Sequence, residues 1–325
     1  MKFETRIVAR TPRADCETCG VKTIAVPWAG KHSRFTLMFE AFAIEVMLAC
    51  GSIKSAISLL GISWSSAQQI MDRAVQRGLA RRDTEKIKRV GMDEKSFRRR
   101  HNYVTVLTDL DSSRVLEVAE GRDEKAANKA WAAISEHQRD AVQAVAIDMW
   151  TAFETAARRN APQADIVHDR FHISKHLNEA VDKVRRTEHK ALKKEGDDTL
   201  AGSKHSWLIN PGNMKEERWI EFQSLKDLEL KTSRAWAIKE QFRWFWDYTY
   251  AANAGKFFKQ WYGWAVRSRL TPVIDAARMI KSHLPNVLTY FRHRITNAIS
   301  EGFNSRIQSI KASARGFRAF QNYRT

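Results

Sequence analysis

Hydrophobic spacing changes rhythm several times along the chain, and the changes divide it. "KRVGMD", "YVTVLTDL" and "RVLEVAE" are short β-type runs, after which "DEKAANKAWAAISEHQ" switches to helical spacing. "AVQAVAID", a further helical stretch and "ADIVHD" complete the region 86–169. A meander of three strands followed by strand–helix units predicts a mixed α/β sheet with helices on its faces. Residues 1–35 carry glycine and proline punctuation without a long period, which predicts a small strand-and-turn unit whose core is too small to fold unaided. Residues 36–85 turn helical, with two short amphipathic segments broken at Gly61. Residues 170–293 are almost wholly helical in composition, and seven of the eleven tryptophans fall between Trp207 and Trp264, so this stretch buries a core and is not a linker. Residues 294–325 return to a clear helical pattern. There Ile295, Ile299, Phe303, Ile307 and Ile310 form an apolar stripe, with Asn297, Glu301, Asn304 and Gln308 on the opposite side.

Charge changes the picture next. Lysine plus arginine outnumber aspartate plus glutamate 55 to 37 over 325 residues, a net charge of +18 that calls for a polyanionic partner, nucleic acid first. No stretch approaches the ~18 apolar residues of a membrane span, and "MKFETRIVARTPR" lacks the apolar centre of a secretory signal, so the expected location is the cytoplasm. Cys16, Cys19 and Cys50 cannot make a disulfide framework.

Against that charge, two acids terminate apolar runs: Asp93 ends "KRVGMD" and Asp148 ends "AVQAVAID". If the first strand of the sheet lies beside the fourth, these carboxylates sit side by side at its carboxyl edge, and a late helix packed on the sheet can bring Glu301 to them. By itself Glu301 reads as one solvated glutamate among many. Three clustered carboxylates repel each other unless a divalent cation neutralises them, and an oxygen-only donor set selects Mg²⁺ or Mn²⁺. Two such ions suit in-line phosphoryl displacement.

"IKSAISLLGISWSSAQQIMDRAVQRG" has what a helix-turn-helix needs: Ala56 for close helix contact, Gly61 for the turn, and Ser65, Ser66, Gln68 and Gln69 opening the second helix. A plain helical hairpin gives the same pattern. In the DNA-reading alternative, Arg73, Arg77, Arg81 and Arg82 contact phosphates, which position the protein without specifying sequence. Arg98, Arg99 and Arg100, in "FRRRHNY" after the Asp93 run, are by default a solvated charge run, though their place suits contact with a scissile phosphate. "CETCG" offers Cys16 and Cys19 as one zinc knuckle. A second pair is missing and a structural zinc site takes four protein ligands, so zinc is not expected here. His168, His172 and His176 recur every four residues and suggest one helix face, without marking a metal site.

"GMDEKSF", "AIDMWTAFETAARRNAPQADIVHDRFHISKHLNEAVDKVR" and "SEGFNSRIQSIKASARGFRAFQNYR" together resemble the ISL-three family of bacterial insertion-sequence transposases, over nearly the whole chain. The resemblance implies a ribonuclease-H-like catalytic core (86–169 and 294–325) with Asp93, Asp148 and Glu301 as its DDE triad and two Mg²⁺ or Mn²⁺ ions. It also implies a helical insertion at 170–293, a helix-turn-helix region at 36–85 and a zinc-ribbon-like remnant at 1–35. Asp169 and His172, within "HDRFH", are held as supporting residues. The implied partners are double-stranded DNA, as transposon terminal inverted repeats and target, and a second copy of the chain on paired ends; the implied setting is the bacterial nucleoid. The chain stops at "FQNYRT" where further helix is expected, which leaves open a truncated or domesticated copy that only binds DNA. A ribonuclease-H-like nuclease or resolvase shares the same acids.

Overall fold

The structure is a computed structural model and describes residues 5–30, 33–81, 86–98, 102–313 and 320–324. The chain divides into two compact units, residues 1–83 with 308–325, and residues 84–307.

In the first unit, β1 (Arg13–Cys16) and β2 (Gly20–Thr23) form an antiparallel ribbon, with Gly20 at φ 70° where the chain turns. Three helices follow: α1 (Leu37–Ala49), α2 (Ile53–Leu60) and α3 (Trp64–Ala80). Each begins at a hydroxyl cap, Thr36, Ser52 or Ser63, whose oxygen accepts an otherwise orphaned amide of the first turn. Gly61, at φ 68°, closes α2 in the left-handed region that a side chain disfavours, so the break predicted there is a true helix end. Ala43, Ala56, Ala67 and Ile70 are fully buried, and the three alanines let the helices approach closely.

The second unit is built on a five-stranded sheet in the order β5-β4-β3-β6-β7. Its strands are β3 (Arg89–Arg98), β4 (Asn102–Asp109), β5 (Arg114–Glu120), β6 (Ala144–Ile147) and β7 (Asp165–His168). β3, β4 and β5 run antiparallel as a meander, whereas β6 and β7 are parallel to β3. The mixed sheet is therefore as the hydrophobic rhythm predicted. Alternation along the strands sorts the two faces. Val90, Met92, Val145, Ile147 and Ile166 share one core with Trp131 of α4 (Glu124–Trp131) and Phe153 of α6 (Thr151–Asn160); α5 (Glu136–Asp140) lies between those helices in sequence.

On the other face Ala144, Ala146 and Val167 join a second core, contributed by α7 (Arg170–Lys194) and the helices after it. These are α8 (Lys204–Leu208), α9 (Glu216–Lys226), α10 (Lys231–Arg243), α11 (Ala251–Val266), α12 (Thr271–Ser282), α13 (Leu284–Leu288) and α14 (Tyr290–His293). Trp207 and Trp261 are buried there and their indole N–H groups donate to Ser203 Oγ and the Ile238 carbonyl. The tryptophan-rich stretch thus packs on the sheet as part of one continuous core. α15 (Ala298–Ser313) and α16 (Phe320–Arg324) end the chain. Among the described residues, no helix is long and apolar enough to cross a membrane.

Three local expectations change. Asp93 lies in the middle of β3, because the antiparallel pairing with β4 carries the strand on past the point where β6 stops. His168 is the last residue of β7 and precedes the helix, which starts at Arg170, so only His172 and His176 of the histidine series are helical. In the last helical region Asn297 and Asn304 are buried while Ile310 is 57 % exposed, so the polar side there is a packing face.

Candidate active site

The parallel register places the acids. Gly91 pairs with Ala146 and Ile147 with His168. Extending the first pairing by two residues and the second by one sets Asp93, in the middle of β3, beside Asp148, and Asp148 beside Asp169, the last two just beyond the ends of β6 and β7. All three share the side-chain parity of Ala146 and Val167 and so emerge on the α7 face.

Each carboxylate is held from its own chain. Asp93 Oδ1 accepts the Glu94 amide at 2.8 Å, and its Oδ2 accepts the Asn304 side-chain amide from α15. Asp148 Oδ1 accepts the Trp150 amide at 3.0 Å. Asp169 caps α7, with Oδ1 accepting from the Phe171 amide at 3.2 Å, and the Asn297 backbone amide also acts on its carboxylate. Asn297 donates to the Met92 carbonyl at 3.1 Å, which fixes the approach to α15 against β3. Glu301 stands in α15 one turn before Asn304, and its side chain lies outside the described residues.

Burial pushes the Asp93 carboxyl from 3.8 up to about 6; the Asp148 and Asp169 charges add to this, and the Glu94 amide and His172 oppose it. Burial likewise raises Asp148, with His172 opposing, and raises Asp169, with the Phe171 amide opposing. Such a trio is unfavourable by itself. The clustered, buried, all-oxygen donor set fits hard divalent cations, which would relieve the repulsion. His172 stands on α7 close enough to act on their charge, and Lys175 and His176 continue that helix beyond it. Further along, Lys183 and Arg186 of α7 and Lys204 of α8 line a groove of about 420 Å³.

The other predicted residues separate. Ser65 and Gln69 are exposed at the start of α3, with Ser66 and Gln68 half-buried, and Gln68 donates to Asp72 at 3.0 Å. Arg73 and Arg77 have an internal partner that the sequence did not reveal: Nη2 and Nη1 lie 2.7 and 2.8 Å from the fully buried Glu40. Arg98 ends β3, but its side chain and all of Arg82, Arg99 and Arg100 lie outside the described residues. The Cys16 thiol is lowered to about 6 by hydrogen bonds from Thr18 and Cys19. Among the described residues no third histidine, cysteine or carboxylate joins that pair. Sequence reasoning missed Asn297 and Asn304 as supports; their spacing with Glu301 was visible, but nothing showed that the polar side packs inward.

A three-helix unit with an exposed polar helix start and a mixed sheet carrying clustered acids are features expected of one class, the DNA-processing enzymes. Comparison with known proteins places the chain within it. Residues 90–325 match a family described as transposase, and residues 24–75 match the helix-turn-helix domain of transposase family ISL3. The chain belongs to the ISL3 (ISL-three) transposase family. It is 27 % identical to the transposase for insertion sequence element IS1001 of Bordetella parapertussis, over 97 % of this chain and 79 % of that one. It is also 27 % identical to the transposase for IS1557 of Mycobacterium tuberculosis, over 98 % of this chain and 77 % of that one.

Proposed function

We propose that the chain cuts and joins DNA strands at insertion-sequence ends, using Asp93, Asp148 and Glu301 on a ribonuclease-H-like core. The observation that carries this reading is the strand register that aligns Asp93, Asp148 and Asp169 on one face. The ribonuclease-H-like assignment draws its support from the sheet, in which an antiparallel meander is extended by two parallel strands on the side of its first strand. Glu301 is the third member because α15 is tied to β3 at Met92 and Asp93 on either side of it in sequence.

Asp93, Asp148 and Glu301 would hold two Mg²⁺ or Mn²⁺ ions, with Asp169 as a further oxygen donor; when bound, such ions stabilise the attacking and leaving oxygens of an in-line displacement. The protein's part is positioning. Asn304 and the Glu94 amide fix both oxygens of Asp93, and the Phe171 amide orients Asp169. Ser65, Ser66, Gln68 and Gln69 present polar groups to base edges, as a recognition helix does at its N-terminal end. Lys175, Lys183, Arg186 and Lys204 outnumber Glu179 and Asp182 along the α7 groove and offer a path for a phosphate backbone, although Arg186 also pairs with Asp182. Pairing two ends calls for two copies of the chain.

The test is incubation of purified protein with labelled duplexes carrying the inverted repeats that flank the gene, in Mg²⁺, Mn²⁺ or EDTA. The expected products are metal-dependent nicks at the repeat boundary and then joined strands, both lost in Asp148→Asn with end binding retained. Metal-independent cleavage, or cleavage unchanged in Asp148→Asn, overturns the reading.

A further inference from the structure

β7 presents two chemically distinct residues in succession to opposite faces of the sheet. Asp169, just beyond it, belongs with the acids. His168 has the parity of Ile166 and points to the other face, where it is fully buried under α6. Its ring hydrogen-bonds the backbone at Ile147 and Asp148, and its Nε2 lies 3.3 Å from Asn286 Nδ2 and 4.0 Å from Glu154 Oε2. The His283 ring, between α12 and α13, stands edge-on to it at a centroid distance of 5.0 Å. Glu154 Oε1 is occupied by Arg158 at 2.7 Å and Asn286 at 3.2 Å, which leaves Oε2 as the oxygen turned towards His168.

We propose that Glu154, His168 and His283 form a second metal site, for a zinc-class transition-metal ion, which clips the helical array to the sheet. One ligating atom from each residue lies within 4.8 Å of the others. Bond lengths of about 2.0–2.2 Å to tetrahedral Zn²⁺ set ligand–ligand edges of about 3.4 Å. Contraction of up to about 1.4 Å therefore closes the site, and Glu154 and His283, both only partly buried, are placed to supply it. Two imidazoles and one carboxylate select Zn²⁺, Co²⁺ or Ni²⁺ over Mg²⁺, with water in the fourth position. The ligands come from α6, β7 and the α12–α13 junction, so the ion ties together elements that the chain separates by more than a hundred residues. This site is independent of the acids, which offer oxygen alone on the opposite face.

The experiment uses the full chain with Cys16→Ser and Cys19→Ser, which removes the thiolate pair as a competing site. Protein stripped with chelator is dialysed against Zn²⁺, its metal content is read by plasma mass spectrometry, and affinity is measured by titration calorimetry. The expected result is close to one Zn²⁺ per chain, not displaced by millimolar Mg²⁺ and unchanged by Asp148→Asn. Affinity should fall at least tenfold in both His283→Ala and Glu154→Gln, two variants at partly exposed positions that spare the buried His168. Zinc should also raise the melting temperature of the parent and not of these variants. No bound zinc in the Cys16→Ser, Cys19→Ser parent, unchanged affinity in both variants, or zinc lost in Asp148→Asn overturns the proposal.

Discussion

Replacing Asp93 by Asn should make the metal-free protein more stable while removing its activity. Asp93 is 7 % exposed, and its carboxyl stands at about 6 in the folded chain against 3.8 ordinarily. A carboxyl raised in the folded state binds its proton more tightly there than in the unfolded chain. Folding is then most favoured below pH 4 and loses stability as pH rises from 4 to 6, by roughly 3 kcal/mol in all at 1.36 kcal/mol per tenfold change in proton affinity. Asn carries no charge and escapes that loss. It has one acceptor for the two donors that Asp93 satisfies, but the Asn304 amide can reverse, since its Oδ1 is buried and unpaired and would accept from the new NH₂. Allowing about 1 kcal/mol for imperfect exchange leaves a net gain of roughly 2 kcal/mol, or about 4–8 °C in Tm for a unit of this size. The assay is thermal unfolding in EDTA at pH 4 and pH 8. The variant should melt slightly below the wild type at pH 4 and exceed it at pH 8, and added Mg²⁺ should narrow the gap at pH 8 by stabilising only the wild type. Equal melting at pH 8, or a variant that melts lower there, refutes the claim that burial and mutual repulsion strain these acids.

Further outcomes follow from the same structure. Glu40→Ala removes the buried carboxylate that joins Ser33, Arg73 and Arg77; because both arginines reach water, the cost should be about 2–3 kcal/mol, read as faster hydrogen exchange in α1 and α3. Burial alone would raise Glu40, but the Arg73, Ser33 and Arg77 hydrogen bonds outweigh it and lower its pKa, so this stabilisation is present above about 4.5 and is lost as pH falls through the depressed value. Asn304→Ala should cut strand cleavage at least tenfold with end binding unchanged, since it frees one oxygen of Asp93; equal loss of binding would mean a general folding defect. Phe153→Ala, beneath the sheet, should cost about 3–5 kcal/mol in denaturant unfolding of the larger unit. Log affinity for end DNA should fall linearly with log salt, and Lys183→Ala with Arg186→Ala should flatten the slope by about 2; an unchanged slope would remove the α7 groove from the DNA path.

The mixed sheet and the helix-turn-helix were legible because local rules govern them: short β-type runs, amphipathic helical spacing, and Gly61 in the one conformation that ends α2 cleanly. Two acids at the ends of apolar runs were legible as well, but their adjacency was not. It depends on β6 pairing beside β3 and on Gly91 matching Ala146, a long-range register that no local pattern encodes. Arg73 and Arg77 show the converse. On the helix they are ordinary surface arginines, and only the fully buried Glu40, 33 and 37 positions earlier, gives them an internal task. Asn297 and Asn304 were hidden because a polar helix side reads as solvated until the groups it satisfies, the Met92 carbonyl and the Asp93 carboxylate, are brought beneath it. His168 misled for a related reason: spacing by four suggests one helix face, but a strand end falls between His168 and His172.

The most direct test is the anomalous scattering of Mn²⁺ in crystals of the protein bound to a duplex carrying its insertion-sequence end. The account predicts Mn²⁺ within coordination distance of Asp93, Asp148 and Glu301, next to the phosphate at the repeat boundary. Mn²⁺ bound away from these carboxylates, with the boundary phosphate remote from them, would contradict it.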